Sequence, residues 1–204
     1  MSDATYLQSL ANDKKAARRI LRAAAAEHGY TIGPVYHGSD SAPFNCFEQK
    51  RVGSATQVDT VGFWFGANRN AVGFYHSGFS NDRKRVMAVL LRGRFMDVST
   101  EEFISQTHGP CVWAARAKDL GFDGVIVRQI IDGDTRGDVF CAFDARNIKL
   151  SNLVVRDDTG EIVLPSRRFD PDVADLRGNV LGNVPCLSGR AVRPVLVADV
   201  ARSL

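Results

Sequence analysis

The sequence predicts an α+β fold, in which a helical N-terminus precedes mostly antiparallel strands and a few short helices. Residues 4–28 place apolar side chains at helical spacing, whereas short apolar runs bounded by turn residues dominate from residue 34 onward. Strands and helices do not alternate strictly, which disfavours a doubly wound parallel sheet. The chain also contains neither a GxGxxG motif nor a P-loop, the two commonest phosphate-binding motifs that a sequence reveals.

The composition is that of one globular domain. The chain has 204 residues, of which 45% are hydrophobic and 24% charged, so general disorder is excluded. The 26 Lys and Arg residues and the 23 Asp and Glu residues give a net charge of +3, too small a bias to indicate nucleic-acid binding by itself. No apolar run is long enough to cross a bilayer, and the N-terminus lacks the apolar core of a signal peptide. We therefore expect a soluble cytoplasmic protein that makes no membrane contact.

The cysteines favour the same compartment. Cys46, Cys111, Cys141 and Cys186 are far apart in the chain and form no CxxC pair. Neither a structural zinc site nor a disulfide framework is expected from such a pattern in a chain of this size. We expect four reduced and mostly buried thiols.

The first helical stretch, residues 4–28, has a polar and an apolar side. Asp13 is a candidate N-cap, and Gly29 is placed to end the helix. The predicted buried positions are Ala17, Ile20, Leu21 and Ala24. The opposite side, called the basic face below, consists of Lys14, Lys15, Arg18, Arg19 and Arg22. A solvated surface is the simpler interpretation of the basic face, and contact with RNA, DNA or an acidic partner is the alternative.

The rest of the chain divides into short elements and a tail. Strands are predicted at 35–38, 62–65, 86–91, 123–128, 139–143, 148–155 and 161–164. Helices are predicted from Asn68 to about His76, from Thr100, and from Pro110 to about Gly121. Residues 129–137 are predicted to form a loop. The domain organisation is then a helical segment at 1–30, a main domain at 31–168 and an extended C-terminal tail at 169–204.

Three local features are candidates for a functional site, and each also has a simpler structural interpretation. His37, in Tyr36-His37-Gly38-Ser39, ends a short strand, and the glycine after it lets another molecule approach the backbone closely. Most single histidines in such a position are structural. The aromatic strand Gly62-Phe63-Trp64-Phe65-Gly66, with Tyr75 further on, is typical of a core but is also suited to wall a slot for a flat ring.

The third feature is a group of acidic residues at 132, 134 and 138, beside a hydrophobic strand. Asp132, Asp134 and Asp138 lie around the predicted loop at 129–137. Acids in loops usually form solvated turns. Each feature is weak alone, and it is their order along the chain that points to a function.

That order resembles the ADP-ribosyltransferase family, in its diphtheria-toxin-like and poly(ADP-ribose) polymerase-like branch. More closely, the chain is similar to the ADP-ribosyltransferase domains of polyvalent proteins from phages and mobile elements. The resemblance covers roughly residues 14–168. The similar stretches are Gly29-Tyr30, 35–39, the Phe44 and Phe47 pair, 62–65, Tyr75, 121–128, 138–144 and Ile148-Lys149.

The resemblance implies an ADP-ribosyltransferase-like fold, with an N-terminal helix and split, mostly antiparallel sheets that enclose a cleft for NAD+. NAD+ is then a substrate, and no metal is needed. His37 would bond a ribose hydroxyl, Gly38 and Ser39 would hold the nicotinamide amide region, and Tyr75 would stack on the pyridinium ring. Phe63 and Trp64 would line the slot, with Trp64 as its opposite wall.

The chain departs from the family pattern at its last position, an acidic residue at the start of a late strand. An alignment on Phe140 and Phe143 of the strand predicted at 139–143 puts Val139 at this acidic position. A shift by one residue puts Asp138 there instead, on the other face of the strand. We expect Asp138 to fill this position, with Asp134 as second choice and no acid there as the third outcome. A glutamate is absent there, so the resemblance implies transfer of a single ADP-ribose. The arginine-specific branch is disfavoured because the chain contains no Glu-x-Glu pair.

These residues support one main hypothesis and several alternatives. The main one is a mono-ADP-ribosyltransferase of phage or toxin type, probed by release of nicotinamide. It would act as a monomer in the cytoplasm (a host cytoplasm if phage-encoded) on an unidentified macromolecular acceptor, either a host protein or RNA or DNA. A catalytically inactive module that binds an ADP-ribose-like ligand or a host protein is the alternative. A metal hydrolase built on His37, His76 and His108 is disfavoured, because their spacing matches no compact zinc motif.

Overall fold

The computed structural model describes residues 2–39, 44–48, 52, 61–70, 85–99, 110–132 and 135–180. Its seven strands are β1 (Tyr30–Ser39), β2 (Phe63–Gly66), β3 (Arg85–Arg92), β4 (Phe95–Val98), β5 (Gly124–Asp132), β6 (Thr135–Ala142) and β7 (Ile148–Leu150). They form one sheet in the order β4-β5-β6-β2-β1-β3-β7. Every pair is antiparallel except β4–β5. The expected mixed chain with a mostly antiparallel sheet is confirmed.

The N-terminal stretch forms two helices, where the sequence predicts one. The helices of the described residues are α1 (Asp3–Asn12), α2 (Lys14–Glu27), α3 (Pro110–Asp119) and the short α4 (Pro165–Arg168). Asp13 separates α1 from α2, and its carboxylate accepts hydrogen bonds from the amides of Lys15 and Ala16. The predicted N-cap is therefore correct, but the chain turns there because a capping residue has non-helical backbone angles.

The three longer helices of the described residues pack on one face of the sheet. In the β1–β3 half, α1 and α2 cover Tyr30 and Leu90. In the β5–β6 half, Trp113 of α3 packs near Val127 and Cys141. We call this the back face.

Residues that alternate with these along the strands form the front face. Its core contains Val35 of β1, Phe65 of β2, Val89 of β3 and Phe140 of β6. Within the described residues, side chains from segments 44–48 and 174–176 pack over it. Among the described residues, the front face is thus the side of the sheet where irregular segments meet the strands.

The sheet is almost divided between β1 and β2. These two strands share a single backbone pair, Tyr36 with Gly66. On either side the pairing is extensive, with seven pairs between β1 and β3 and four between β2 and β6. The two halves of the sheet therefore meet at a narrow junction next to His37.

Three sequence predictions about irregular segments differ from the structure. Residues 129–137 extend β5 and β6 into a hairpin, in which Ile130 pairs with Gly137. The predicted strands at 148–155 and 161–164 reduce to β7 and one isolated bridge between Arg156 and Ile162. Local turn residues favour a loop at 129–137 and a pair of strands around a turn at 148–164. Strand pairing, however, is decided by partners that are distant in the chain.

The start of the predicted tail belongs to the core. Phe169 and Leu176 are fully buried, Phe169 behind the sheet with α2 and Leu176 on the front face. These apolar residues follow no helical or strand period, which is why the sequence predicts an extended segment from residue 169. The helices predicted from Asn68 and from Thr100 fall largely or wholly outside the described residues.

The expectation of four reduced thiols is wrong for Cys46, which is disulfide-bonded. Cys141 is a buried free cysteine. Wide spacing along a chain does not keep two cysteines apart in space, so the sequence pattern alone misleads here. The thiols therefore no longer support the expected cytoplasmic location. In the described part of the chain, no helix has the length and apolar character required to cross a bilayer.

Candidate functional site

His37 lies on the front face at the junction between β1 and β2. Its ring contacts Phe47 edge-on, with 4.9 Å between ring centroids, and Phe65 at 5.6 Å. Its Nδ1 is 2.9 Å from the carbonyl oxygen of Trp64. A carbonyl can only accept, so Nδ1 carries the proton and donates it to this bond. In the neutral ring Nε2 is then the acceptor nitrogen.

Four phenylalanines surround this histidine. Phe63 and Phe65 come from β2, and Phe44 and Phe47 come from the segment that crosses the front face. Phe47 lies in the middle, at 5.0 Å from Phe63, 5.6 Å from Phe65 and 5.2 Å from Phe44. The Phe44 and Phe47 pair and the aromatic strand, which the sequence analysis singles out separately, are thus parts of one aromatic cluster around His37.

The other predicted ligand-binding residues do not all lie beside His37. The ring of Trp64 packs on the back face with the core under α3, so only its backbone carbonyl is brought together with His37. Gly38 and Ser39 continue β1 beyond His37 and pair with Val86 and Arg85 of β3. Tyr75 and Asp134 lie outside the described residues.

Asp138 shares the front face with His37. Phe65 of β2 pairs with Phe140 of β6, and His37 is the residue of β1 opposite Phe65 in the same register. Asp138 alternates with Val139, whose side chain packs on the back face, so Asp138 and Phe140 are on the same side. Standard strand spacings then place the Cα atoms of residues 37 and 138 about 12 Å apart.

Asp138 is held by two neighbours on β5. Its Oδ2 accepts a hydrogen bond from Nη1 of Arg128 at 2.7 Å. Its Oδ1 accepts from the backbone amide of Gln129 at 3.0 Å and from Nε2 of Gln129 at 3.3 Å. Arg128 in turn makes a bidentate pair with Asp97 of β4, with contacts of 2.7 to 2.9 Å. The carboxylate is thus fixed in position by a chain of contacts across three strands.

A bulge in β5 makes this arrangement possible. The pairing of β5 with β6 shifts register between Val127 and Ile130. Within the bulge Gln129 has φ +54°, in the left-handed region that side chains adopt at some cost. This conformation directs the Gln129 amide toward the Asp138 carboxylate, and bulges commonly re-aim a strand in this way.

The Asp138 carboxylate is ionised at neutral pH. Burial alone raises the pKa of this group, but the hydrogen bonds from Gln129 and the guanidinium of Arg128 outweigh it and hold the pKa below its ordinary value. The same contacts raise the pKa of Arg128. The Asp138 side chain is 20% exposed. The front face therefore presents a fixed negative charge with one edge toward solvent, across the aromatic cluster from His37.

The described residues contain no group of three or more His, Cys, Asp or Glu side chains that could hold a metal ion. His76 and His108, the other residues of the metal alternative, lie outside the described part of the chain.

A separate cavity of about 310 Å³ opens at the other end of the sheet. Arg92, Lys118 and Arg146 contribute cations to its wall, and Phe122 and Phe143 contribute rings. Three carboxylates, those of Asp123, Asp144 and Asp172, balance the cations. None of the predicted site residues that the structure describes lines this cavity.

Comparison with protein-family models, with curated proteins and with solved structures finds no match to this chain.

The residues that hold Asp138 are not predicted from the sequence. Arg128 occurs in the stretch that resembles the transferase family, but the sequence assigns it no role, and Asp97 and Gln129 are not singled out at all. Their connection depends on the parallel pairing of β4 with β5 and on the bulge. The sequence offers one signal for this arrangement, which is that Arg128 directly follows the apolar run 124–127. A basic residue beside a buried strand often has an acidic partner.

Proposed function

We propose that this chain is a mono-ADP-ribosyltransferase, which cleaves NAD+ and transfers ADP-ribose to a macromolecular acceptor. The observation that carries the proposal is the placement of His37 and Asp138 on one face of the sheet, on either side of the aromatic strand β2. The resemblance of the sequence requires these three strands to be neighbours. The aromatic rings beside His37 would supply an apolar surface for a flat pyridinium ring and its ribose.

Transfer of ADP-ribose breaks the bond between the ribose C1′ and the nicotinamide nitrogen. The bonding electrons leave with nicotinamide, positive charge develops on the ribose, and an acceptor nucleophile forms the new bond to C1′ and releases its proton. Fixed negative charge near C1′ lowers the energy of such a transition state, as in glycoside hydrolysis. The ionised carboxylate of Asp138 would supply that charge.

His37 would position the ribose. With Nδ1 bonded to the Trp64 carbonyl, Nε2 is the nitrogen that would accept a hydrogen bond from a ribose hydroxyl. The backbone of Gly38, one residue further along β1, would hold the nicotinamide amide. Tyr75 remains the proposed stacking partner of the ring, and Phe63 and Phe65 extend the same aromatic wall on the side of β2.

One observation favours the inactive binding module as a second candidate. Three donor atoms of Arg128 and Gln129 already bond the Asp138 carboxylate. A carboxylate whose charge is partly neutralised in this way stabilises a developing cation less than an unpaired one. The front face would then bind NAD+ or an ADP-ribose-like ligand without cleaving it.

The experiment measures binding and cleavage separately on the full chain. NAD+ binding is followed by calorimetry and nicotinamide release by chromatography, for the native protein and for Asp138→Asn. Asp119→Asn, which removes an exposed carboxylate at the end of α3, is the matched control. We expect Asp138→Asn to reduce nicotinamide release by about 10²–10³-fold while NAD+ still binds, and the control to behave like the native protein.

The other outcomes separate the two candidates. Binding of NAD+ by the native protein without release of nicotinamide, unaltered in Asp138→Asn, means that the chain is a binding module. Absence of NAD+ binding by a folded protein overturns both. If cleavage is observed, incubation with bacterial lysate and labelled NAD+ shows whether the label enters protein or nucleic acid, which identifies the acceptor class.

A further inference from the structure

The basic face of α2 is rigidly presented to solvent. The other side of this helix is fixed by Ala17, Ile20, Leu21 and Ala25, all of which are buried against α1, the start of β1 and Phe169. The cations of the basic face are all exposed. Because the helix is anchored along its length, their positions relative to one another are set by helix geometry.

No acidic side chain compensates this charge. Within the described residues, none of the five cations makes an ion pair or a side-chain hydrogen bond. The carboxylate of Asp13 caps α2, that of Asp3 on α1 bonds Ser166, and Glu27 is the last residue of the helix. The first two turns of α2 are therefore a surface of concentrated positive charge.

Helix stability does not account for this arrangement. Cations near a helix N-terminus face the positive end of the helix dipole, where acidic residues are favoured. Lys14 and Arg18, and Arg18 and Arg22, are also like charges four residues apart, a spacing at which they repel. A negatively charged partner on this face would attract these cations and offset both unfavourable contributions.

The residue types indicate what that partner is. Lys14, Arg18 and Arg22 form a row with a spacing of about 6 Å along the helix axis, with a second row beside it. The basic face carries no aromatic residue on which unpaired bases could stack and no Asn or Gln to read base edges. It also lacks the large apolar anchors of a protein interface. What remains is recognition of regularly spaced phosphates.

The position of α2 suits contact with a phosphate backbone. The helix is packed along one side against the domain, and the cations lie on its exposed side. Binding of a duplex without sequence preference needs only contacts to its phosphates. We propose that the basic face of α2 is a docking surface for a nucleic-acid duplex, bound through its phosphates without sequence preference. This proposal is independent of NAD+ chemistry.

The test uses two variants of the full chain that remove equal charge. The first is Arg18→Gln/Arg19→Gln/Arg22→Gln. The control is Arg94→Gln/Arg116→Gln/Arg136→Gln, at three exposed arginines outside α2. Binding of a labelled RNA duplex of about 20 base pairs is measured by fluorescence anisotropy at several salt concentrations, and a DNA duplex of the same length is measured in parallel. Circular dichroism and thermal unfolding establish that each variant is folded.

We expect the native protein to bind both duplexes with a strong salt dependence. The α2 variant should bind at least tenfold more weakly near physiological salt, and its slope of log affinity against log salt should fall by about three, one for each arginine that no longer neutralises a phosphate. It should unfold at the same or a higher temperature than the native protein, because repulsion is removed. The control should bind like the native protein. Equal weakening in both variants overturns the assignment to α2, and absence of binding to either duplex overturns the proposal altogether.

Discussion

Nδ1 of His37 lies 2.9 Å from the carbonyl oxygen of Trp64, so a side chain of β1 bonds the backbone of β2 where the two strands share one backbone pair. This bond ties the two halves of the sheet together. It also fixes the ring orientation of the histidine on the front face. The two ring nitrogens therefore have different roles. Nδ1 stabilises the fold through its hydrogen bond to Trp64, and Nε2 makes the proposed contact with the ribose.

Two amide substitutions of His37 separate these roles. The side-chain NH₂ of His37→Asn can take the place of Nδ1, whereas that of His37→Gln reaches toward the position of Nε2. We expect His37→Asn to retain stability and to lose nicotinamide release. His37→Gln should lose about 1 kcal/mol of unfolding free energy, the net value of one hydrogen bond, and should release more nicotinamide than His37→Asn. Denaturant unfolding and the nicotinamide assay measure the two quantities, and equal activity in both variants would contradict the assignment.

The contacts of Asp138 predict a pH dependence of stability. Its pKa in the folded protein is below the ordinary value of 3.8. A group with a depressed folded pKa contributes stability above its unfolded pKa and loses that contribution as the pH falls through the folded pKa. The difference in unfolding free energy between the native protein and Asp138→Asn should thus be constant from about pH 6 to 8 and shrink below about pH 4. Denaturant unfolding at each pH tests this, and a difference that grows on acidification would contradict it.

The backbone angle of Gln129 predicts which residues β5 tolerates at the bulge. A left-handed conformation costs a β-branched residue about 1–2 kcal/mol, and glycine adopts it freely. We expect Gln129→Val to be less stable than Gln129→Gly by about that amount. Chemical denaturation of both variants measures the difference, and equal stability would mean that residue 129 changes conformation and releases the Asp138 carboxylate.

Short segments bounded by turn residues are the part of the fold that the sequence predicts well. The aromatic strand at 62–65, the start of α3 at Pro110 and the cap at Asp13 are all observed, because each depends on local signals. The hairpin at 129–137 was not predictable in this way. Its Asp and Gly residues favour a turn locally, and the pairing of Ile130 with Gly137 outweighs that preference only in the folded sheet.

The candidate site shows the same limit. His37 and Asp138 are recognisable from the order of motifs, but the sequence cannot say that Asp138 is on the front face and Val139 on the back. That distinction depends on the register of β6 against β2, which the chain establishes over more than 70 residues. The positions of Arg128 and Gln129 depend in addition on a bulge, which carries no signature in the residue pattern.

The buried position of Leu176 predicts that the segment after α4 is required for stability. Leu176 is fully buried, and its backbone bonds both Leu150 and Asn45. Leu176→Ala should lower the unfolding free energy by about 2–4 kcal/mol, the usual effect of removing a buried leucine side chain. Leu120→Ala is the matched control, because Leu120 is 56% exposed at the end of α3. Similar small losses in both variants, measured by denaturant unfolding, would mean that residues 169–180 do not belong to the core.

Lys149 of β7 predicts a second pH effect, in which stability again rises with pH but over an alkaline window. Its side chain is fully buried, and its ammonium donates to the carbonyl oxygens of Asp175, at 2.7 Å, and Val173. Burial lowers the pKa of Lys149 from 10.5 to about 8. Between these two values the unfolded chain holds a proton that the folded chain has released, so stability rises with pH across this window.

The variant that reveals this effect is Lys149→Met, which keeps much of the side-chain volume and removes the titrating group. From pH 8 to pH 10 the unfolding free energy of the native protein should increase relative to that of Lys149→Met, by on the order of 2 kcal/mol. Using the difference between the two proteins cancels the titration of all other groups that they share. A difference that falls over the same range would mean that the two carbonyl oxygens stabilise the ammonium by more than its burial destabilises it, so that the pKa of Lys149 is raised and not lowered.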